Sequence, residues 1–138
     1  MIIMFLFSCS KKNDLPFSAV PEIKIAKVNS NTIKQFEDSL IITLEYQDGD
    51  GDIGFSESDS FALIIKDIRL TSEDKFHISP LAPIGESIAI KGTIKVPIGK
   101  LFMFGTGNTE TTRFRLLLKD RAGNWSNEVE TESILISK

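Results

Sequence analysis

From Ile88 onward the chain keeps a strict period of two. Ile88, Ile90, Gly92, Ile94, Val96 and Ile98 share one side, while Ala89, Lys91, Thr93 and Lys95 take the other. A helix would spread these residues over all its faces, so the stretch can bury them together only as a β-strand with one apolar face. The same alternation recurs along the chain. Ile23 and Ile25 alternate with Lys24 and Ala26; Leu40, Ile42, Leu44 and Tyr46 alternate with Ile41, Thr43, Glu45 and Gln47. Phe114, Leu116 and Leu118 oppose Arg113, Arg115 and Lys119, and residues 128–136 supply a last strand. Residues 62–70 are rich in isoleucine and leucine and read as a strand but lose phase at Asp67, where a bulge is expected. Turn-forming clusters separate the strands at 48–60, 79–86, 105–111 and 120–127, and no 3.6-residue pattern lasts the three turns of a packed helix. About seven strands with turns between them predict an all-β antiparallel β-sandwich, formed as one domain over residues 22–138.

A chain of 138 residues has room for one core, which argues against two lobes around a cleft. Its formal net charge of −3 offers no basic surface for nucleic acid.

The N-terminus is of another kind. Met1-Ile-Ile-Met-Phe-Leu-Phe-Ser8 is an apolar run too short to span a bilayer, and it ends at Cys9, the only cysteine. Leu6-Phe7-Ser8-Cys9 resembles the lipobox of bacterial lipoproteins, with an aliphatic residue at minus three and a small one at minus one. Ser10-Lys11-Lys12-Asn13-Asp14 resembles the polar tether that follows. The resemblance implies a signal peptide over 1–8, lipidation of Cys9 and a linker over 9–21. It also implies an exported protein held in the cell envelope, at the outer membrane, by its acyl chains. A lone cysteine in an exported protein fits that use, since a thioether leaves no free thiol.

Phe114-Arg-Leu-Leu-Leu-Lys-Asp-Arg-Ala-Gly-Asn-Trp-Ser126 resembles the F strand and F–G turn of fibronectin type III and related immunoglobulin-like domains. That resemblance implies an immunoglobulin-like topology and no particular activity.

Tyr46-Gln-Asp-Gly-Asp-Gly-Asp-Ile-Gly54 is the segment with metal chemistry. Asp48, Asp50 and Asp52 would repel one another in a compact loop; Ca²⁺ relieves that repulsion and takes oxygen ligands. Gly49, Gly51 and Gly54 let the backbone curl. The segment resembles the start of an EF-hand-like calcium loop, departing from it at the sixth position, Ile53, and at the twelfth, Asp59. A polar turn rich in Asp-Gly pairs, with no metal, remains the alternative. In an immunoglobulin-like sandwich the B–C and F–G loops lie at one end. With residues 40–47 as strand B and 112–119 as strand F, Asp120 and Asn124 approach the acidic loop and could complete its coordination, and the chain enters near Glu22 at the same end.

Catalytic constellations are missing from the sequence. His77 is the only histidine and reads as a strand residue, no serine has a Gly-x-Ser-x-Gly setting, and Gly105-Thr-Gly-Asn108 reads as a hairpin turn. The expectation is therefore a non-catalytic envelope module binding a protein or glycan partner, with Trp125 as the exposed aromatic candidate for contact or, alternatively, a cap on the sandwich. An accessory subunit that merely spaces a larger complex is the competing expectation; a hydrolase is the least supported.

Overall fold

The computed structural model describes residues 16–138; Cys9 and the apolar run before it lie outside the described residues. Ten strands are present among the described residues: β1 (Glu22–Val28), β2 (Thr32–Lys34), β3 (Ser39–Asp48), β4 (Leu63–Asp67), β5 (Asp74–Phe76), β6 (Ile90–Lys100), β7 (Thr109–Thr112), β8 (Phe114–Leu118), β9 (Val129–Glu130) and β10 (Ile134–Ser137). No helix occurs among the described residues.

The strands form three open sheets, in the orders β1-β3-β6, β5-β4-β8-β9 and β2-β10-β7. Together they make the all-β sandwich expected from the alternation. Its core collects the inward rows: Leu40, Ile42 and Leu44 of β3, Leu63 and Ile65 of β4, Leu116 and Leu118 of β8, and Ile134 and Ile136 of β10. Each such side chain contributes about 1.5–3 kcal/mol on leaving water. The long β6 runs as its pattern requires, paired along its length with β3 from Asp48↔Ile90 to Ser39↔Lys100. Gly92 in its apolar row leaves room for Tyr46, since a Cβ there would fall 2.8 Å from the tyrosine hydroxyl.

The number and pairing of strands differ from expectation, for physical reasons that can be named. Strand F, expected over 112–119, is β8, and most of the preceding strand β7 lies in residues expected to be a turn; across Arg113 the pairing changes, since β7 pairs with β10 whereas β8 pairs with β4 and β9. The last strand divides in the same way into β9 and β10, so both cross from one sheet to another. One pairing, β2 with β10, is parallel. Asp67 marks no bulge. It ends β4, because its carboxylate accepts the Arg69 N–H and its carbonyl accepts the Leu70 N–H, which closes a turn. The register shifts fall instead at Ile25/Lys27 and Leu40/Ile41. Residues 105–108 form no hairpin, since β6 and β7 belong to different sheets. His77 lies just after β5, with Nδ1 2.9 Å from the Ser60 carbonyl oxygen.

Two features of this framework position the site. The inward row of β3 continues past Leu44 and Tyr46 to Asp48, and the inward row of β8 continues past Leu118 to Asp120; both aspartates are fully buried. The chain also enters at this end, with Glu22 opposite Gln47, and Asn127 holds Ile23 by accepting from its N–H and donating to its carbonyl.

Candidate metal centre

Two apolar rows that end in carboxylates at one end of a sandwich create an electrostatic problem that only the surrounding loops can solve. The loop 48–54 is gripped from three directions. The Gly49 N–H donates to Ser18 O (2.7 Å), the Asp50 carbonyl accepts from Ile88 N–H (3.2 Å), and the Asp52 carbonyl accepts from Arg121 N–H (3.1 Å). Ile53 bridges Asp120, and the Arg121 guanidinium donates to Gly54 O at 2.7 Å. This grip leaves no space for side chains at the glycines. At Gly51, with φ 71°, a Cβ would fall 2.2 Å from Ile88 O; at Gly54, with φ 95°, it would fall 2.3 Å from Ser79 O.

The carboxylates are thereby turned inward. One oxygen each of Asp48, Asp50 and Asp52 lies within 4.8 Å of the others. Asp48 Oδ2 accepts from Asp52 N–H (3.0 Å) and Asp52 Oδ2 accepts from Ala122 N–H (3.1 Å), which orients both groups. The remaining oxygens, Oδ1 of Asp48, Asp50 and Asp52, are buried without any hydrogen-bond partner. No lysine or arginine pairs with these three among the described residues. Burial, with the charges of Asp50 and Asp52 next in size, pushes the Asp48 carboxyl up to about 7. Asp52 is raised too, by burial first and then by the charges of Asp120 and Asp50.

The opposite end of the sandwich supplies an internal comparison. Asp67 takes the last inward position of β4 and is also buried, yet Arg69 Nη2 reaches its Oδ2 at 2.6 Å and Thr112 Oγ1 donates to Oδ1. Burial raises its carboxyl, but the hydrogen bonds from Arg69 and Thr112 outweigh that and hold it below the usual range. A buried carboxylate is normally paired or bound to a metal. Asp67 has its cation within the chain; Asp48, Asp50 and Asp52 do not.

The remaining site residues expected from the sequence fall as follows. Asp120 lies beside the cluster, and its charge acts on Asp48 and Asp52, but its own oxygens are engaged: Oδ1 accepts from Asn124 N–H (2.7 Å) and Oδ2 from Asn124 Nδ2 (2.8 Å). Asn124 thus spends its amide on Asp120. Asp59 stands exposed in the loop that follows and is not among the converging oxygens. Trp125 is 40% exposed, in a bridge with Lys119, whose Nζ lies 5.5 Å from its ring centroid.

One surface feature was not singled out in the sequence. At the far end, Phe36, Phe102 and Phe104 are exposed by 63%, 46% and 51%, with Phe102 in contact with both of the others. Phe36 stacks on Phe102 at 6.0 Å, Phe104 meets Phe102 edge-on at 5.1 Å, and Arg69 lies 4.5 Å over the Phe104 ring. Phe36 is the one non-glycine residue with positive φ (61°) among the described residues. The Phe-x-Phe spacing at 102–104 was a visible signal; the contact with Phe36 joins residues too distant in sequence to be seen there.

Compared with protein-family models, with curated proteins and with solved structures, the chain matches none.

Proposed function

We propose that the protein is a non-catalytic, calcium-binding β-sandwich module that is anchored in the cell envelope through Cys9 and holds a protein partner at its far end. The observation that carries the calcium reading is the trio of buried, unpartnered oxygens on Asp48, Asp50 and Asp52. Hard oxygen donors of high charge suit Ca²⁺, whose flexible coordination tolerates a loop geometry of this kind. Arg121, Ala122 and Ile88 clamp the loop through backbone contacts, so the carboxylates act as ligands for an ion rather than as an acid and base facing a groove. Calorimetric titration of the chelator-treated full chain with Ca²⁺ is expected to show one saturable site, and absence of heat together with absence of competition by a calcium dye would remove the ion from this account.

The lipobox resemblance at Leu6-Phe7-Ser8-Cys9 supports the anchor. Cys9→Ala should move the protein from the membrane to the soluble fraction, because no described helix is long and apolar enough to cross a membrane. Unchanged partitioning of the variant would refute lipid anchoring.

The far-end phenylalanines favour a protein partner over a glycan. Arg69 spends its donors on Asp67, Glu110 and the Phe102 carbonyl, and Glu110 accepts from Phe104 and Gly105 N–H, so the patch presents apolar rings whose neighbouring polar groups are taken. A sugar needs such groups free; an apolar protein segment does not. Holding an exposed Phe36 in the left-handed region costs about 1–2 kcal/mol, strain of a kind associated with binding sites. Phe36→Gly removes that strain along with the ring. The variant should be as stable as the parent or slightly more so, while losing capture of a defined envelope partner that Asp50→Ala retains. Undiminished capture by Phe36→Gly, or self-association of the purified chain through this face, would overturn the assignment of the patch.

A further inference from the structure

The acidic loop shares backbone contacts with the segment through which the chain enters the domain. Gly49 sits between Asp48 and Asp50, and its N–H donates to Ser18 O at 2.7 Å. A Cβ on Gly49 would fall 2.2 Å from Phe17 O and 2.7 Å from Ser18 O, so the segment rests directly on the peptide that joins the two carboxylates. Ser18 Oγ accepts from Val20 N–H at 3.0 Å, which folds the segment over this contact before β1 begins at Glu22. Besides this contact the segment is held by Phe17, which is half-buried; Pro16, Ser18, Ala19 and Val20 are exposed.

We infer that calcium acts as a latch on the entry segment: with the ion bound, residues 17–20 dock on Gly49, and without it they are released. The inference rests on the calcium reading above. Its logic is that of linkage between two sites on one bistable loop. Docking of Ser18 needs the Gly49 N–H to point outward, which is the same loop conformation that brings the oxygens of Asp48, Asp50 and Asp52 within 4.8 Å. Without a cation that convergence is opposed by mutual repulsion and by three unpartnered buried oxygens. When the loop spreads to relieve them, the peptide 48–50 turns and Ser18 loses its donor. A divalent cation reverses the balance. For a chain anchored at Cys9, the latch changes the tether: with Ser18 docked the span from Cys9 is at most about 30 Å, and with the segment free as far as Pro21 it is about 40 Å. Calcium would then draw the domain toward its membrane and fix the orientation of its far end.

The test uses the full chain and chymotrypsin, which cleaves after Phe17, with the Phe17–Ser18 cut followed by mass spectrometry. Saturating Ca²⁺ should slow that cut about tenfold or more relative to chelator, a coupling of the usual allosteric size, while cuts at other accessible aromatic residues change less. Reciprocity requires the converse. Gly49→Ala, which evicts Phe17 and Ser18 while keeping every carboxylate, should weaken Ca²⁺ affinity by the factor by which calcium protects the segment. Ser18→Gly, which touches no core residue, loses the Val20 contact and stiffness and should lower affinity and protection together, so the test survives if Gly49→Ala fails to fold. Saturable calcium binding with an unchanged Phe17–Ser18 cleavage rate would overturn the latch and leave the metal centre intact. Failure of the chain to bind Ca²⁺ at all would overturn both.

Discussion

Adding Ca²⁺ to chelator-treated protein is expected to raise the melting temperature by about 10 °C once the free ion reaches roughly a hundred times its dissociation constant. The figure follows from mass action: binding to the native state alone contributes about 2.7 kcal/mol at that concentration, and a domain of this size gains roughly 4 °C per kcal/mol. Asp50→Ala should abolish the response. It should also do something a generally destabilising substitution does not. In chelator the variant should melt no lower than the parent, and slightly higher, because Asp50 supplies one of the charges that raise Asp48 and Asp52. A variant less stable than the parent in chelator, with its calcium response intact, would place the stabilising role of Asp50 elsewhere. Magnesium should be a poorer substitute, since it requires near-ideal octahedral geometry and gives up water reluctantly.

In chelator, stability should fall as the pH rises from about 5 to 7, the reverse of ordinary behaviour over that interval. The Asp48 carboxyl keeps its proton up to about 7 in the native state, whereas in the unfolded chain it loses it near the usual aspartate value. Between those limits the native state binds more protons than the unfolded state, so the slope of unfolding free energy against pH is negative. The full shift corresponds to something on the order of 4 kcal/mol. At lower pH the opposite groups take over. Asp67, Glu110 and Glu130 are all held below their usual values; their contribution is present above the unfolded pKa and is lost as acid titrates them. An optimum near pH 5 is therefore expected in urea unfolding without calcium. With calcium bound, the ionised carboxylates are favoured, the fall toward neutrality should vanish, and calcium affinity should weaken below about pH 7 as protons compete. A monotonic rise in stability from pH 4 to 7 in chelator would contradict the assignment of Asp48 as a buried, unpaired acid.

The contrast between the two ends of the sandwich underlies both expectations. Asp48 and Asp67 are each the last inward residue of a strand, and each is buried beyond a row of aliphatic side chains. One has Arg69 at 2.6 Å and is held ionised; the other has the Asp52 N–H on Oδ2 but no cation, and its charged neighbours are further carboxylates. The far end is therefore settled within the chain, whereas the carboxylates of the entry end have no cationic side chain among the described residues.

Much of this was legible in the residues. Period-two alternation set the strands of β1, β3, β6 and β8 and the residues each turned inward, because a strand's side-chain period is a local property of its backbone. The Asp-Gly-Asp-Gly-Asp run marked the acidic loop, since closely spaced carboxylates on a flexible backbone carry the same repulsion wherever they occur. Extending the alternation two residues further would also have placed Asp48 and Asp120 on inward faces, a signal present in the sequence. Other features depended on pairing between distant segments. Only the tertiary structure put β7 and β10 in one sheet and β8 and β9 in another, removed Asp59 from the cluster and engaged both oxygens of Asp120 with Asn124. It alone brought Ser18 onto Gly49 and gathered Phe36 with Phe102 and Phe104. Local periodicity records which way a side chain faces. Which residue it then meets is decided by register and by the crossing of chain segments, and those are settled by the packing of the whole core.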